Sequence, residues 1–217
     1  MNEITVRWQE IREKCDDICR KCDRDPASVT IIAVSKTVPL DLMLQAYDIG
    51  IRDFGESRYQ EAQPKIEAMP SDIRWHFIGK LQSNKARRIG ESFDVIHTLE
   101  AQSQIRELEK CDKQIKALIE VNVTKEQQKA GIFPETLDET VDLLSCSQNV
   151  RFQGLMTIGP LVDDPEQNRE VFRSLAQLGM RHRAEWLSMG MSADYDVAIQ
   201  EGATHVRIGS ALFGERK

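Results

Sequence analysis

Val29-Thr30-Ile31-Ile32-Ala33-Val34-Ser35-Lys36 decides the fold of this chain. Its β-branched residues run on without the polar alternation of a half-exposed strand, which is the pattern of a parallel strand covered on both faces. Asp25-Pro26 stops whatever precedes it, and Pro39 restrains the backbone on the far side. The first buried strand is therefore short, with a lysine at its C-terminal end.

Upstream, Ile4, Trp8, Ile11, Cys15, Ile18 and Cys22 recur at spacings of four and three, one stripe of an amphipathic helix within residues 2–24. Downstream, Leu40, Met43, Leu44 and Tyr47 repeat at helical spacing before Gly50. Further strand candidates are Ile51 to Phe54, Ile73 to Ile78, Phe93 to Thr98, Ile115 to Val123, Val150 to Met156, Glu185 to Met189 and His205 to Ile208, with helical stretches between them. About eight strands alternating with helices, and no Pro/Gly/Ser-rich linker, predict an α/β chain folded as a single (β/α)8 TIM barrel with an extra N-terminal helix. The whole of 1–217 is expected to be one domain.

Bulk properties narrow the function. The chain has 217 residues, 41% of them hydrophobic, and a net charge of −6, so its overall surface has no electrostatic attraction for nucleic acid or an anionic membrane. No apolar run approaches the roughly 18 residues of a membrane span, and the charged N-terminus is unlike a secretory signal. With five cysteines, an odd number, a cytoplasmic protein with reduced thiols is expected.

Four constellations can carry chemistry. Cys15-x3-Cys19-x2-Cys22 matches an iron-sulfur spacing, but Cys15 and Cys22 fall on the apolar stripe of the leading helix, whereas cluster ligands need a loop on which three thiolates converge. Helix packing explains them, and the four histidines show no ligand spacing, so no metal site is expected.

Lys36 is the second candidate, because barrel sites are built at the C-terminal ends of the strands. A lysine against apolar walls loses its charge more easily, and only the neutral amine attacks an aldehyde to form a Schiff base.

The third is the pair of segments Leu187-Ser188-Met189-Gly190-Met191-Ser192 and Val206-Arg207-Ile208-Gly209-Ser210. In barrels the loops after the last two strands often hold a phosphate through backbone N–H groups, and each loop here supplies glycine and serine. Ser192 also reads as a helix N-cap. A lysine for an aldehyde and a cup for a phosphate together suit pyridoxal 5'-phosphate (PLP). The fourth, Lys80 to Arg88, concentrates positive charge without interleaved aromatics and reads as a solvated helix start.

Taken in order, Ala33-Val34-Ser35-Lys36, Phe54-Gly55-Glu56, Trp75-His76-Phe77-Ile78-Gly79, Leu81-Gln82-Ser83-Asn84-Lys85, Gly154-Leu155-Met156, Leu187 to Ser192 and Val206-Arg207-Ile208-Gly209 resemble the pyridoxal-phosphate homeostasis proteins. The resemblance spans nearly the whole chain. It implies an alanine-racemase-like barrel with Lys36 as the aldimine lysine, Ser192, Gly209 and Ser210 around the phosphate, and Arg207 at the pyridine nitrogen. Ser57 and Met189 complete the cofactor-binding set it implies. Two positions depart from the family pattern: Ser57 stands where Asn is usual, and Gln128 precedes Lys129 where Ser is usual.

The expected role is a carrier or regulator of PLP without catalytic residues. Racemases and decarboxylases on this barrel carry an additional β domain that completes their site, whereas here only Ile208 to Lys217 follows the last strand. Two rival readings stand beside it: a small racemase using His97 or Tyr59 as second base, and an RNA or protein adaptor acting through Lys80 to Arg88. Other B6 vitamers and PLP-dependent apoenzymes are expected partners, membranes and nucleic acids are not, and a monomer is expected.

Overall fold

In the computed structural model, residues 2–214 are described. The expected domain 1–217 also takes in Met1 and Glu215 to Lys217, which lie outside them.

Eight strands close into a parallel barrel in sequence order. They are β1 (Thr30–Val34), β2 (Asp53–Glu56), β3 (Arg74–Phe77), β4 (Val95–Leu99), β5 (Ile115–Glu120), β6 (Val150–Met156), β7 (Trp186–Met191) and β8 (His205–Ile208). Closure is made by β1 on β8, with Thr30 opposite His205 and Ile32 opposite Arg207.

The helices on the outside are α1 (Glu3–Lys21), α2 (Leu40–Asp48), α3 (Tyr59–Ala68), α4 (Ser83–Ser92), α5 (Gln102–Leu108), α6 (Leu137–Ser145), α7 (Arg169–Arg181), α8 (Tyr195–Gln200) and α9 (Ser210–Phe213). Asn2 caps α1 by accepting the Thr5 backbone N–H at 2.8 Å. The α1 stripe buries Ile4, Ile11, Cys15 and Ile18, with Cys19 fully buried beside them. Burial pushes the Cys15 thiol up to about 12, as expected of an inert packing residue.

Two layers of core result from the strand period of two. Ile31, Ala33, Phe54, Trp75, Phe77 and Met189 belong to the main apolar core, which includes the buried faces of the helices. Val95, Leu118 and Met156 form a second cluster, with Trp186 packed on it. The rest of this interior is unusually polar for a barrel: His76, His97, Ser188, His205 and Arg207 are all buried.

Several boundaries differ from the sequence reading, and three bear on the site. The second strand runs to Glu56 and does not stop at Phe54, because a Cβ on Gly55 would meet Ile32 Cγ2 at 2.9 Å, and glycine alone lets β2 pass so close to β1. The fifth ends at Glu120; Val121 leaves the sheet to bridge Ile132. The seventh continues to Met191 through an irregularity between Ser188 and Met191, where Gly190 takes φ +88°.

Candidate functional site

Lys36 follows β1 on a turn that its neighbours hold in place. The Ser35 N–H donates to the Gly55 carbonyl at 2.9 Å, and the Ser35 hydroxyl donates to Glu56 Oε1 at 2.8 Å. From α3, Lys65 Nζ donates to the Ser35 carbonyl and to Glu56 Oε1, both at 2.7 Å. Beyond Lys36 the chain turns through Thr37 at φ 62°, a left-handed conformation that a β-branched residue rarely adopts. Glu56 and Lys65 fix the backbone at Ser35, two residues before it.

The two late loops share a cavity wall with Lys36. The Ser192 hydroxyl accepts the Gly209 N–H at 3.2 Å and the Ala211 N–H at 3.4 Å, drawing the loop after β7 onto the loop after β8. Ser192 is therefore not the cap of α8, as the sequence suggested; Asp194 occupies that position. Asp194 Oδ1 instead accepts the Met191 N–H at 2.7 Å while Oδ2 accepts from Asn168 at 2.8 Å, which shapes the loop carrying Ser192.

Arg207 rises from β8. Its Nη1 donates to Ser188 Oγ at 2.7 Å and its Nη2 to the Thr157 carbonyl at 3.0 Å. Burial pushes its pKa down to about 10, with the Glu120 and Asp194 charges acting against the shift, so the guanidinium stays charged at neutral pH.

A cavity of about 290 Å³ joins these parts, walled by Lys36, Ser57, Ser192, Arg207, Gly209 and Ser210 together. Six of the seven residues singled out from the sequence thus meet in one place. Met189 does not: it is fully buried in the main apolar core, because Ser188 takes the inward position on β7. The irregularity at Gly190 brings Met191 to the wall instead.

Sequence reading missed Ile78 and Ile158, which also line the cavity. Their signal was their place just past the ends of β3 and β6, where a barrel presents side chains to its mouth. Gly79 secures one side of this mouth, since a Cβ there would lie 1.9 Å from the Ser57 carbonyl oxygen. A neighbouring cavity of about 140 Å³, sharing Ile158, is lined by Glu120, Asn122 and Lys129. Burial, reinforced by the Glu100 charge, pushes Glu120 up to about 7.

The side chains named as second bases lie elsewhere. Both ring nitrogens of His97 are committed to hydrogen bonds inside the barrel, and Tyr59 is buried on α3 with the Arg88 guanidinium 5.5 Å from its ring centroid. Neither belongs to the wall of the 290 Å³ cavity. Among the described residues, no helix is long and apolar enough to cross a membrane.

Comparison with known proteins agrees with this architecture. The family described as alanine racemase, N-terminal domain, matches residues 6–217. The pyridoxal phosphate homeostasis protein of Aquifex aeolicus is 39% identical, with 97% of each chain covered. That of Escherichia coli (strain K12) is 36% identical over 100% of this chain and 98% of its own. Among solved structures, PipY of Synechococcus elongatus PCC7942 with PLP bound superposes with a TM-score of 0.78 at 36% identity, covering 93% of this chain and 100% of that one. By these relationships, and with the same closed barrel, the chain belongs to the pyridoxal phosphate homeostasis protein family, built on the alanine racemase N-terminal domain.

Proposed function

We propose that this protein holds PLP in the cavity between Lys36 and the Ser192–Gly209–Ser210 loops, and serves as a carrier or regulator of the cofactor without turning over a substrate. The observation that carries the reading is the gathering of an amine, a set of phosphate donors and a charged guanidinium in the wall of one cavity. The donor set fits the group: an amine for the aldehyde, and hydroxyls with backbone N–H groups for the phosphate. When bound, PLP would supply an aldehyde for Schiff-base chemistry; the Lys36 amine would hold that end and the Ser192, Gly209 and Ser210 groups the phosphate.

The chain's own residues then set the limits of the chemistry. The Glu56–Lys65 pair holds the turn that carries Lys36. Arg207, charged and in the same cavity wall, would disfavour a proton on a pyridine nitrogen held against it and so weaken the ring as an electron sink. Ser57, shorter than the family's usual asparagine, leaves room at the wall beside it. No second base joins Lys36 in the wall of the cavity among the described residues.

The same reading makes PLP, and the other B6 vitamers, the small-molecule partners, PLP-dependent apoenzymes the recipients, and a cytosolic, single-domain monomer the working form. All five cysteines are unpaired, in keeping with a reducing compartment.

The test is spectroscopic. Protein mixed with PLP should show a visible band that borohydride abolishes, and peptide mapping should find the reduced adduct on Lys36 alone; a band that survives in Lys36→Ala refutes the assignment. Amino acids added to the loaded protein in deuterated buffer should keep their α-protons. Exchange dependent on the protein and abolished in Lys36→Ala would restore the racemase reading.

A further inference from the structure

Beneath the cavity, one line of hydrogen bonds crosses the barrel from its opposite end. Asp53, the first residue of β2, lies 2.9 Å from His76 Nε2 through Oδ1. His76 Nδ1 lies 2.9 Å from His97 Nε2, and His97 Nδ1 lies 2.9 Å from Ser188 Oγ. Ser188 Oγ in turn accepts from Arg207 Nη1 at 2.7 Å.

The Asp53 carboxylate fixes the direction of every bond. It can only accept, so a neutral His76 ring donates to it through Nε2 and accepts at Nδ1. His97 therefore carries its proton on Nε2, and its Nδ1 accepts the Ser188 hydroxyl proton. Ser188 Oγ accepts in turn from Arg207, which can only donate, so both ends fit one polarity, with its acceptor end on Arg207 and its donor end on Asp53.

This arrangement answers an electrostatic need. Arg207 is a buried cation on which the Glu120 and Asp194 charges act without a direct ion pair, so its orientation rests on Ser188 and the Thr157 carbonyl. Aligned hydrogen bonds polarise one another in the same sense, so they strengthen the acceptor that Arg207 meets and link it to a carboxylate at the other end. Neutral imidazoles are required, and burial holds both His76 and His97 below the ordinary histidine range.

We propose that Asp53, His76 and His97 are positioning residues for Arg207, acting through Ser188 to fix the guanidinium in one orientation against the bound cofactor. The proposal rests on the reading of this cavity as the PLP site.

Two measurements test it. In protein without PLP, nitrogen NMR of the histidines should show His76 and His97 both as neutral Nε2–H tautomers at pH 7. Asp53→Asn, nearly isosteric and at a partly exposed position, should speed hydrogen exchange at the Arg207 side chain. With PLP, the same variant should weaken binding by about three- to tenfold, within the range of coupled contacts, and shift the pH titration of the visible band. Arg74→Gln removes the other ion-pair partner of Asp53 without touching the chain, and should do neither. In an Arg207→Gln background Asp53→Asn should have no further effect on the cofactor. An Nδ1–H tautomer on either ring, or an equal effect of Asp53→Asn with and without Arg207, overturns the proposal. Should the unsubstituted protein form no visible band, the cofactor reading falls, and unchanged Arg207 exchange in Asp53→Asn then overturns the chain as well.

Discussion

Ser192 and Gly209 are bound to each other across two loops: the serine hydroxyl accepts the glycine N–H at 3.2 Å, and the Ala211 N–H at 3.4 Å as well. An anion placed between the loops would find these N–H groups already gathered, with one serine O–H still to donate. Ser192→Ala removes that donor and also releases the two loops from each other, whereas Ser210→Ala removes only a hydroxyl. Each should weaken PLP binding by about ten- to hundredfold, the value of a hydrogen bond to a charged group, with Ser192→Ala the larger. Pyridoxal, which lacks the phosphate, should bind nearly as before. Titrations of both vitamers decide it, and equal losses for the two would place the phosphate elsewhere.

Lys65 and Glu56 form a second pair, 2.7 Å apart, with the glutamate fully buried and the lysine side chain 14% exposed. Removing one partner leaves the other charge uncompensated in the interior. Lys65→Met should therefore cost about 3–5 kcal/mol in urea unfolding, and Glu56→Gln added to it should recover part of that loss. The double variant should still load PLP poorly, because the Ser35 carbonyl has lost its donor and the turn bearing Lys36 its anchor. Normal loading would show that the turn holds itself.

The interior histidines predict the acid limb of stability. Burial lowers His205 to about 3, and also depresses His76 and His97. In the unfolded chain these rings bind protons near pH 6.5, in the folded one lower, so the unfolded state gains protons first as pH falls. Their stabilising contribution is complete above about pH 6.5 and is lost as pH drops toward the folded values, for His205 at up to about 1.4 kcal/mol per unit. Urea midpoints measured between pH 7 and pH 5 should fall accordingly. His205→Gln should flatten the slope, and a slope unchanged by that substitution would exclude this origin.

Much of this protein was legible in its residues. The run from Val29 to Val34 reads as a covered strand, and the number of strands alternating with helices tips the choice from an open sheet to a barrel, because these signals are local. Lys36 and the two glycine–serine loops were legible too, since a barrel converts the end of a strand into a place at the mouth.

Other features depended on neighbours that are distant in the chain. Gly55 looked like the end of a strand until Ile32 and Ile78 showed why only glycine could continue it there. Ser192 looked like a cap, but its partners come from residues 209 and 211. Met189 and Met191 are interchangeable in sequence, and the irregularity at Gly190 alone decides which of them reaches the cavity. Histidines 76 and 97 show no ligand spacing, yet closure of the sheet sets a nitrogen of one 2.9 Å from a nitrogen of the other on the line to Arg207. Local periodicity determines which elements form and which of their faces is apolar; only closure of the barrel decides which inward side chains meet, because those contacts depend on strand register and stagger, which no local pattern encodes.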